Sequence, residues 1–312
     1  MLISVVIPTK DRPDALRDAL RSIVDGAHED FEIIVIDQSA GDESRTVVAE
    51  LADDRVTHVF NRRQGFGAAS SRNLGMAMAA SDVIAITDDD VVAPSDWLRK
   101  ITERFVADPD LDFICGGLIA PEYDRTAGHV PEYRPDPSLA RRKLAQQVSG
   151  ASFSLRRRVL HTVGGYDEFC GPGSRLRASD DTDFCHRVLR AGCRVAVEPD
   201  IWVLHANGFR AQGDASALFE RYAFGNGGNY GRFVRSGDLL ALRHFASSEL
   251  RLVARVLLGR SSVPREELRL QRVRLSGFVA GFRLPRHSGH VEPEDFGRLE
   301  HLARGIRNAS RA

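Results

Sequence analysis

Before Gly208 the chain alternates short, mostly apolar runs with amphipathic stretches. Residues 2–7, 31–36, 56–60 and 83–87 are such runs, and runs of this length predict strands buried on both faces. Between them Leu16, Leu20, Ile23 and Val24 recur at helical spacing behind Arg12-Pro13-Asp14, residues 43–51 read as a helix, and residues 68–80 form an Ala- and Met-rich helix behind a loop holding Gly65 and Gly67. This alternation predicts a parallel sheet with helices on both sides. Further on, the pattern predicts a helix over 97–106, a strand over 113–119 and an irregular proline-rich loop over 121–137. A short strand at 153–155, a helix over 157–163 and a helix over 180–191 with Phe184, Val188 and Leu189 inward follow, then strands at 195–198 and 201–205. After Gly208 the period changes. Leu239, Leu242, Phe245, Leu250, Val253 and Leu257 make a helical stripe with Arg243, Arg251 and Arg255 interspersed, and residues 268–282 repeat the pattern, so amphipathic, Arg-rich helices are expected.

The 312 residues suffice for one large or two small domains, and the formal net charge of zero hides an asymmetry. Residues 207–312 carry 18 Arg and no Lys against 10 acidic residues, a net of +8 that the rest of the chain offsets. A basic tail on an acidic body faces anions: lipid headgroups, an anionic partner or the body itself. Cys115, Cys170, Cys185 and Cys193 form no CxxC pair and read as reduced, mostly packed thiols of a cytosolic protein, not a zinc site. The first residues read as a strand and not a signal peptide, and no apolar run approaches a membrane span. No nucleic-acid partner is expected.

Chemistry concentrates where the fourth apolar run ends in Asp88, Asp89 and Asp90. Ligands of open α/β folds bind at the carboxyl edge of the sheet. Adjacent carboxylates repel unless a cation or hydrogen-bond donors offset the charge, and Mg²⁺ or Mn²⁺ carrying a phosphorylated substrate would do so. A solvated acidic turn would look the same. Thr9, Asp11 and Arg12 follow the first strand after Pro8, and Asp37 ends the second, where a carboxylate suits a base N–H or a ribose hydroxyl as well as it suits ordinary turn chemistry. Arg72 and Asn73 sit early in the Ala-rich helix, on a surface face or beside an anion. Asp180, Asp181 and Asp183 either cap a helix or, as neighbours raising one another's pKa, supply a general base. The stretch Gly171-Pro172-Gly173-Ser174 before them could cover a substrate, and His205 could complete a metal site or be structural.

Order and spacing decide among these readings. VVIPTKDRP at 5–13, VIDQS at 35–39, GAASSRNLG at 67–75, ITDDDVVAPSDWL at 86–98, GASFSLRR at 150–157, VGGYDE at 163–168, SDDTDFCHRVLRAG at 179–192 and VEPDIWVLH at 197–205 together resemble the family 2 glycosyltransferases with their GT-A fold. The resemblance runs from the first strand to His205 and implies an α/β, Rossmann-like, mixed and mainly parallel sheet with helices on both faces, followed by a C-terminal helical extension. Residues 1–207 would be the catalytic domain, 1–119 its nucleotide-sugar half and 120–207 its acceptor half, with 208–312 the Arg-rich extension. It implies an inverting transfer from a UDP-, dTDP- or GDP-linked sugar, dependent on Mg²⁺ or Mn²⁺, to a glycan, lipid-linked or small-molecule acceptor hydroxyl, in cell-surface polysaccharide, glycolipid or natural-product glycan synthesis. By position, Thr9, Asp11 and Asp37 would line the nucleobase and ribose pocket, with Pro8, Arg12 and Arg72 also on the donor side. Asp88 and Asp89 would fall at the D-x-D region; Asp90 and His205 would join them around the metal. Asp181 would be the catalytic base, with Gly150 and Asp180 toward the acceptor. Two departures stand out: Asp37-Gln38 replaces a frequent Asp pair, and Asp180 replaces the Glu of the Glu-Asp pair, shortening its reach.

Two other functions compete. A non-catalytic sugar-nucleotide or glycan-binding protein would not need the intact carboxylates, and a nucleotidyltransferase would carry a Gly-rich phosphate loop, whereas residues 8–13 hold no glycine. The basic helices either attach peripherally to an anionic membrane, such as the inner face of the plasma membrane, or pack on the catalytic domain or on a second copy in a homodimer; packing is the usual fate of such a stripe. Acceptor choice is expected in residues 121–137, 171–178 and the C-terminal region.

Overall fold

β1 (Ile3–Thr9) is buried at every position, as befits a strand paired on both edges and covered on both faces. A computed structural model of the chain describes residues 1–63, 66–142, 144–145, 148–285 and 291–310, with side chains through 305; Gly65 of the expected loop lies outside the described residues. After β1 come α1 (Pro13–Val24), β2 (Phe31–Asp37), α2 (Glu43–Leu51), β3 (Val56–Phe60), α3 (Gly67–Met78), β4 (Val83–Ile86), α4 (Trp97–Ala107) and β5 (Phe113–Ile119). A two-residue β6 (Gly128–His129) lies in the proline-rich loop, followed by β7 (Phe153–Arg156), α5 (Arg158–Val163), α6 (Asp180–Arg190) and β8 (Val195–Leu204). β9 (Arg210–Ala211) pairs with β6, and the chain ends in α7 (Gln212–Arg235), α8 (Leu239–Leu257), α9 (Pro264–Arg283) and α10 (Pro293–Ser310).

The central sheet has seven strands in the order β3-β2-β1-β4-β7-β5-β8. β7 runs antiparallel to both neighbours; the other described pairings are parallel. The mixed, mainly parallel sheet is therefore the expected one. The chain leaves β1 toward β2 and β3, then returns to β4 on the other side. That reversal opens a crevice at the carboxyl ends of β1 and β4, where open α/β sheets bind ligands. The two late strands expected at 195–198 and 201–205 are one, β8, whose register against β5 shifts between Cys115 and Gly117.

The helices depart most from the sequence pattern. α7 lies in the expected helical extension, but no apolar stripe marks it: glycine inside a helix costs about 1 kcal/mol relative to alanine, and Gly225, Gly227, Gly228 and Gly231 crowd one stretch of it. They are there for close approach. A Cβ on Gly227 would lie 1.9 Å from the Arg274 carbonyl oxygen, and one on Gly277 of α9 would lie 2.0 Å from that of Phe224. The two backbones thus touch through glycine, which only a missing side chain permits. Packing of the α8 stripe also differs from expectation. Ala241 and Phe245 are buried with Tyr230 and Phe233 of α7, whereas Leu239, Leu242, Leu250, Val253 and Leu257 remain exposed on another face.

α10, also within that extension and unmarked by a stripe, returns to the sheet-bearing body. Phe296 and Ala303 are fully buried in the main core, and Glu300 accepts a 2.5 Å bond from Arg157, which also donates to the Ala79 and Ser81 carbonyls behind α3. Phe296→Ala should therefore cost about 3–5 kcal/mol of unfolding free energy, read from urea denaturation. A loss below about 1 kcal/mol, the typical effect of a point substitution, would show that α10 is not part of the core.

Candidate active site

Three carboxylates leave β4 at the switch point, and each meets a different partner. Thr9, at the end of β1, donates to Asp89 Oδ2 at 2.7 Å. Arg12 donates to Asp89 Oδ1 at 3.3 Å and to Asp90 Oδ2 at 2.8 Å. Asp90 Oδ1 faces His205 Nε2 at 3.4 Å, and Arg210 approaches Oδ2 at 3.6 Å. Asp88 accepts from Arg72 at 2.6 Å. Burial, then Asp90, pushes Asp89 up to about 6 despite Thr9 and Arg12. Burial would raise Asp90 too, but His205, Arg12 and Arg210 bring it down to about 2. The same contact raises His205 against the opposing effect of burial. His205 Nδ1 lies 2.7 Å from the Pro131 carbonyl oxygen, so Nδ1–H donates there and Nε2 is left toward Asp90. Gly208 makes room for the ring, since a Cβ there would lie 2.3 Å from it.

Arg72 ties this cluster to the second acidic group. Its guanidinium reaches Asp88 on one side and Asp180 Oδ2, at 2.5 Å, on the other, with the Tyr166 ring 5.6 Å away. Burial disfavours the cation, but Asp88 and Asp180 outweigh it and keep Arg72 charged. Asn73 next to it donates to the Tyr166 carbonyl and accepts from the Tyr166 N–H at 2.6 Å, pinning that segment beneath α6. Ser179, in the left-handed region at φ 71°, starts α6 and places Asp180 and Asp181 in its first turn. Gly171, at φ +92°, lies over Asp180 where a Cβ would strike the carboxylate at 2.6 Å. Asp181 is half-buried and accepts from Gly150 N–H at 3.1 Å and Thr182 N–H at 2.8 Å. Burial, then Asp180, pushes it up to about 7.

The donor-side residues divide. Thr9, Arg12, Arg72, Asp88, Asp89, Asp90 and His205 form one connected constellation, joined to Asp180 through Arg72. Asp37 lies apart: it is fully buried, holds His58 Nε2 at 2.9 Å and accepts from Ser39 N–H. Burial would raise its pKa, but His58 and Ser39 hold it below the ordinary value. Asp11, at φ 54°, sits on the exposed rim, bonded to Ser39 and Ala40. Pro8 is an interior position of β1, paired with Ile36.

Among the described residues no three His, Cys, Asp or Glu groups converge to hold a metal ion unaided. The donor set still suits a hard cation, because Mg²⁺ is held by one or two carboxylates plus substrate phosphate oxygens and water. Asp90 Oδ1 and the inward His205 Nε2, with Asp89 alongside, offer such a partial shell.

A profile of "Glycosyl transferase family 2" matches residues 4–164. The chain belongs to that family. The matched segment runs from β1 through α5. Among relatives, a pre-mycofactocin glycosyltransferase of Mycobacterium tuberculosis is 24% identical over 213 residues, covering 65% of this chain and 42% of its own. A glucosyl-dolichyl phosphate glucuronosyltransferase of Haloferax volcanii is 25% identical over 222 residues, 66% of this chain and 69% of its own. The chain thus spans less than half of the mycobacterial relative. Among solved structures, a mannosyltransferase of Pyrobaculum calidifontis in complex with GDP-Man and Mn²⁺ superposes with a TM-score of 0.61 at 17% identity over 90% of this chain and 87% of its own. S. aureus TarS 1–349 with UDP-GlcNAc gives 0.57 at 15% over 99% and 89%. These likenesses are of fold, and the fold is the GT-A-like one expected from the sequence.

In this family 2 chain, sequence reading missed Tyr166, Arg210 and Tyr222 as neighbours of the site. Burial, then Asp181, pushes the Tyr222 phenol up to about 12. Arg210 and Tyr222 lie beyond the quoted motifs and reach the crevice only because β9 and α7 fold back on it. The Arg72 bridge yields a direct expectation. Arg72→Leu strands two carboxylates and should cost about 3–5 kcal/mol. Asp180 already titrates above its ordinary value, because burial outweighs Arg72. Without the cation the folded chain holds a proton there that the unfolded chain releases, so part of the loss should return as pH falls from about 8 to about 5. Urea midpoints at both pH values read this; a pH-independent loss would assign the effect to packing instead.

Proposed function

We propose that this chain is an inverting, metal-dependent glycosyltransferase acting on a nucleotide-diphospho-sugar, with Asp181 as its base. The observation that carries the reading is the placement of Asp181: half-buried, pushed up to about 7, and one residue from the carboxylate that Arg72 couples to the acidic triplet. A general base works best near the operating pH and within reach of the reacting centre. Residues 1–207 act as the catalytic unit, with 1–119 on the donor side and 120–207 on the acceptor side, and 208–312 as the extension.

Pro8, Thr9, Asp11, Arg12 and Asp37 belong to the nucleoside side of the crevice, and Arg72, Asp88 and Asp89 face the diphosphate sugar. Asp89, Asp90 and His205 would hold Mg²⁺ or Mn²⁺, which when bound offsets charge on the leaving diphosphate. Arg12 and Arg210, which lie against these carboxylates, would turn toward the phosphate oxygens. Gly150 N–H and Thr182 N–H fix the Asp181 carboxylate, which takes the proton of the acceptor hydroxyl as that oxygen attacks the anomeric carbon from the face opposite the nucleotide. Displacement in one step needs no covalent sugar–enzyme intermediate. A lipid-linked acceptor is the favoured class, in keeping with the dolichyl phosphate named for the haloarchaeal relative.

Calorimetric titration of UDP, GDP and dTDP with and without Mn²⁺ tests the donor reading. One nucleotide should bind tightly only with the metal, and failure of all three would overturn it. Asp181→Asn should keep nucleotide binding and lower kcat by about 10²–10⁴-fold. Wild-type kcat should climb with pH through about 7, since the base must be deprotonated; a profile flat from about 5 to about 9 would remove Asp181 from the role.

A further inference from the structure

α8 carries two apolar faces, and the chain uses one. Ala241 and Phe245 are buried against α7. Leu239, Leu242, Ala246, Leu250, Val253 and Leu257 follow one another at steps of three or four residues, the spacing of a single helix face. All are solvent-facing: Leu239 is 75% exposed, Leu250 69% and Leu257 80%. Soluble proteins rarely leave so continuous an aliphatic stripe in water unless something covers it.

Arginines edge this face. Arg243 and Arg251 are exposed along α8 and Arg260 lies just past its end, and none of the three pairs with a carboxylate among the described residues. Nearby arginines are committed elsewhere: Arg255 binds Glu267 at 2.8 Å, and Arg274 binds Glu249. We infer that the outer face of α8 docks in the headgroup region of an anionic lipid surface, with the leucines in the acyl boundary and Arg243, Arg251 and Arg260 on lipid phosphates. Aliphatic side chains edged by unpaired guanidinium groups are the chemistry such a surface binds. A second copy of the chain fits less well. A two-fold interface places a patch against itself, and this stripe offers arginine with no free carboxylate to meet it. No described helix is long and apolar enough to cross a bilayer, so the docked helix lies in the plane of the interface.

The inference concerns attachment and is independent of the reaction. Flotation of the full chain with vesicles of phosphatidylcholine, alone or with added phosphatidylglycerol, tests it. The protein should float with the anionic vesicles only, and raised salt should weaken the association. Leu250→Asp with Leu257→Asp should cut partitioning by about tenfold or more. Arg243→Glu with Arg251→Glu should abolish the preference for phosphatidylglycerol. Both positions in each pair are exposed, so urea midpoints should match wild type and exclude misfolding as the cause. Absence of binding to anionic vesicles, or binding unchanged in both variants, overturns the proposal. So does a dimer in sedimentation that the leucine variant dissociates, which would assign the face to a second copy.

Discussion

One buried guanidinium holds the two halves of this site in register. Arg72 projects from α3 between Asp88, past the end of β4, and Asp180, at the start of α6. Burial opposes the charge on Arg72 and on Asp180, and each offsets that cost for the other while Asp88 adds a second carboxylate, so the three positions specify one another. The surrounding structure is arranged to serve the bridge. Asn73 clamps both backbone groups of Tyr166, Gly165 leaves space for the Asn73 amide, and Gly171 leaves space for Asp180. A side chain at either glycine would push on an atom that has nowhere to move. The consequence for chemistry is geometric: Asp181 follows Asp180 in the chain, so its distance from the acidic triplet is set through Arg72.

Topology explains why the triplet stands where it does. β1 and β4 are neighbours whose onward connections go to opposite sides, and the gap between them cannot be covered by a connecting segment. Thr9 and Arg12 come from the β1 side, Asp88, Asp89 and Asp90 from the β4 side. The negative charge is met by Arg12, Arg210 and His205, all of which approach Asp90. Asp89 and Asp90 are driven in opposite directions, one toward its proton and the other away from it. That split is what closely spaced carboxylates do when the nearby cations gather on one of them. A bound divalent ion with its phosphate oxygens would relieve the same repulsion.

The sheet was legible because its strands are short, mostly apolar runs, as burial at every position of residues 3–9 and 31–37 requires. The acidic clusters were legible as types of residue, and order along the chain tied them to a family. Their pairings were not. Nothing near Arg72 in sequence points to Asp180, which lies 108 residues away. Asp37 is an aspartate at a strand end like Asp88, yet His58 and Ser39 take it up, and His58 is visible as a partner only once β2 and β3 are paired. α7 escaped because the sequence signals of a glycine-rich helix are those of a loop. Only the approach of α9 at Gly227 and Gly231, and of Ala178 and Leu176 at Gly225 and Gly228, turns the penalty into packing. α10 escaped because its inward residues are few, with Phe296 and Ala303 carrying the contact.

The C-terminal helices divide their work by face. α7 begins next to Arg210, which touches Asp90, and its glycines lock it to α9. α10 closes over α3, the helix that carries Arg72. Both therefore support the crevice from behind and from its rim, and their charges are largely spent on internal pairs such as Arg232 with Asp167 and Arg157 with Glu300. α8 differs in that Arg243 and Arg251 stay unpaired beside leucines that face water. Unpaired arginine and an uncovered apolar stripe thus occur together along α8, which is the arrangement expected if that stripe meets an anionic surface.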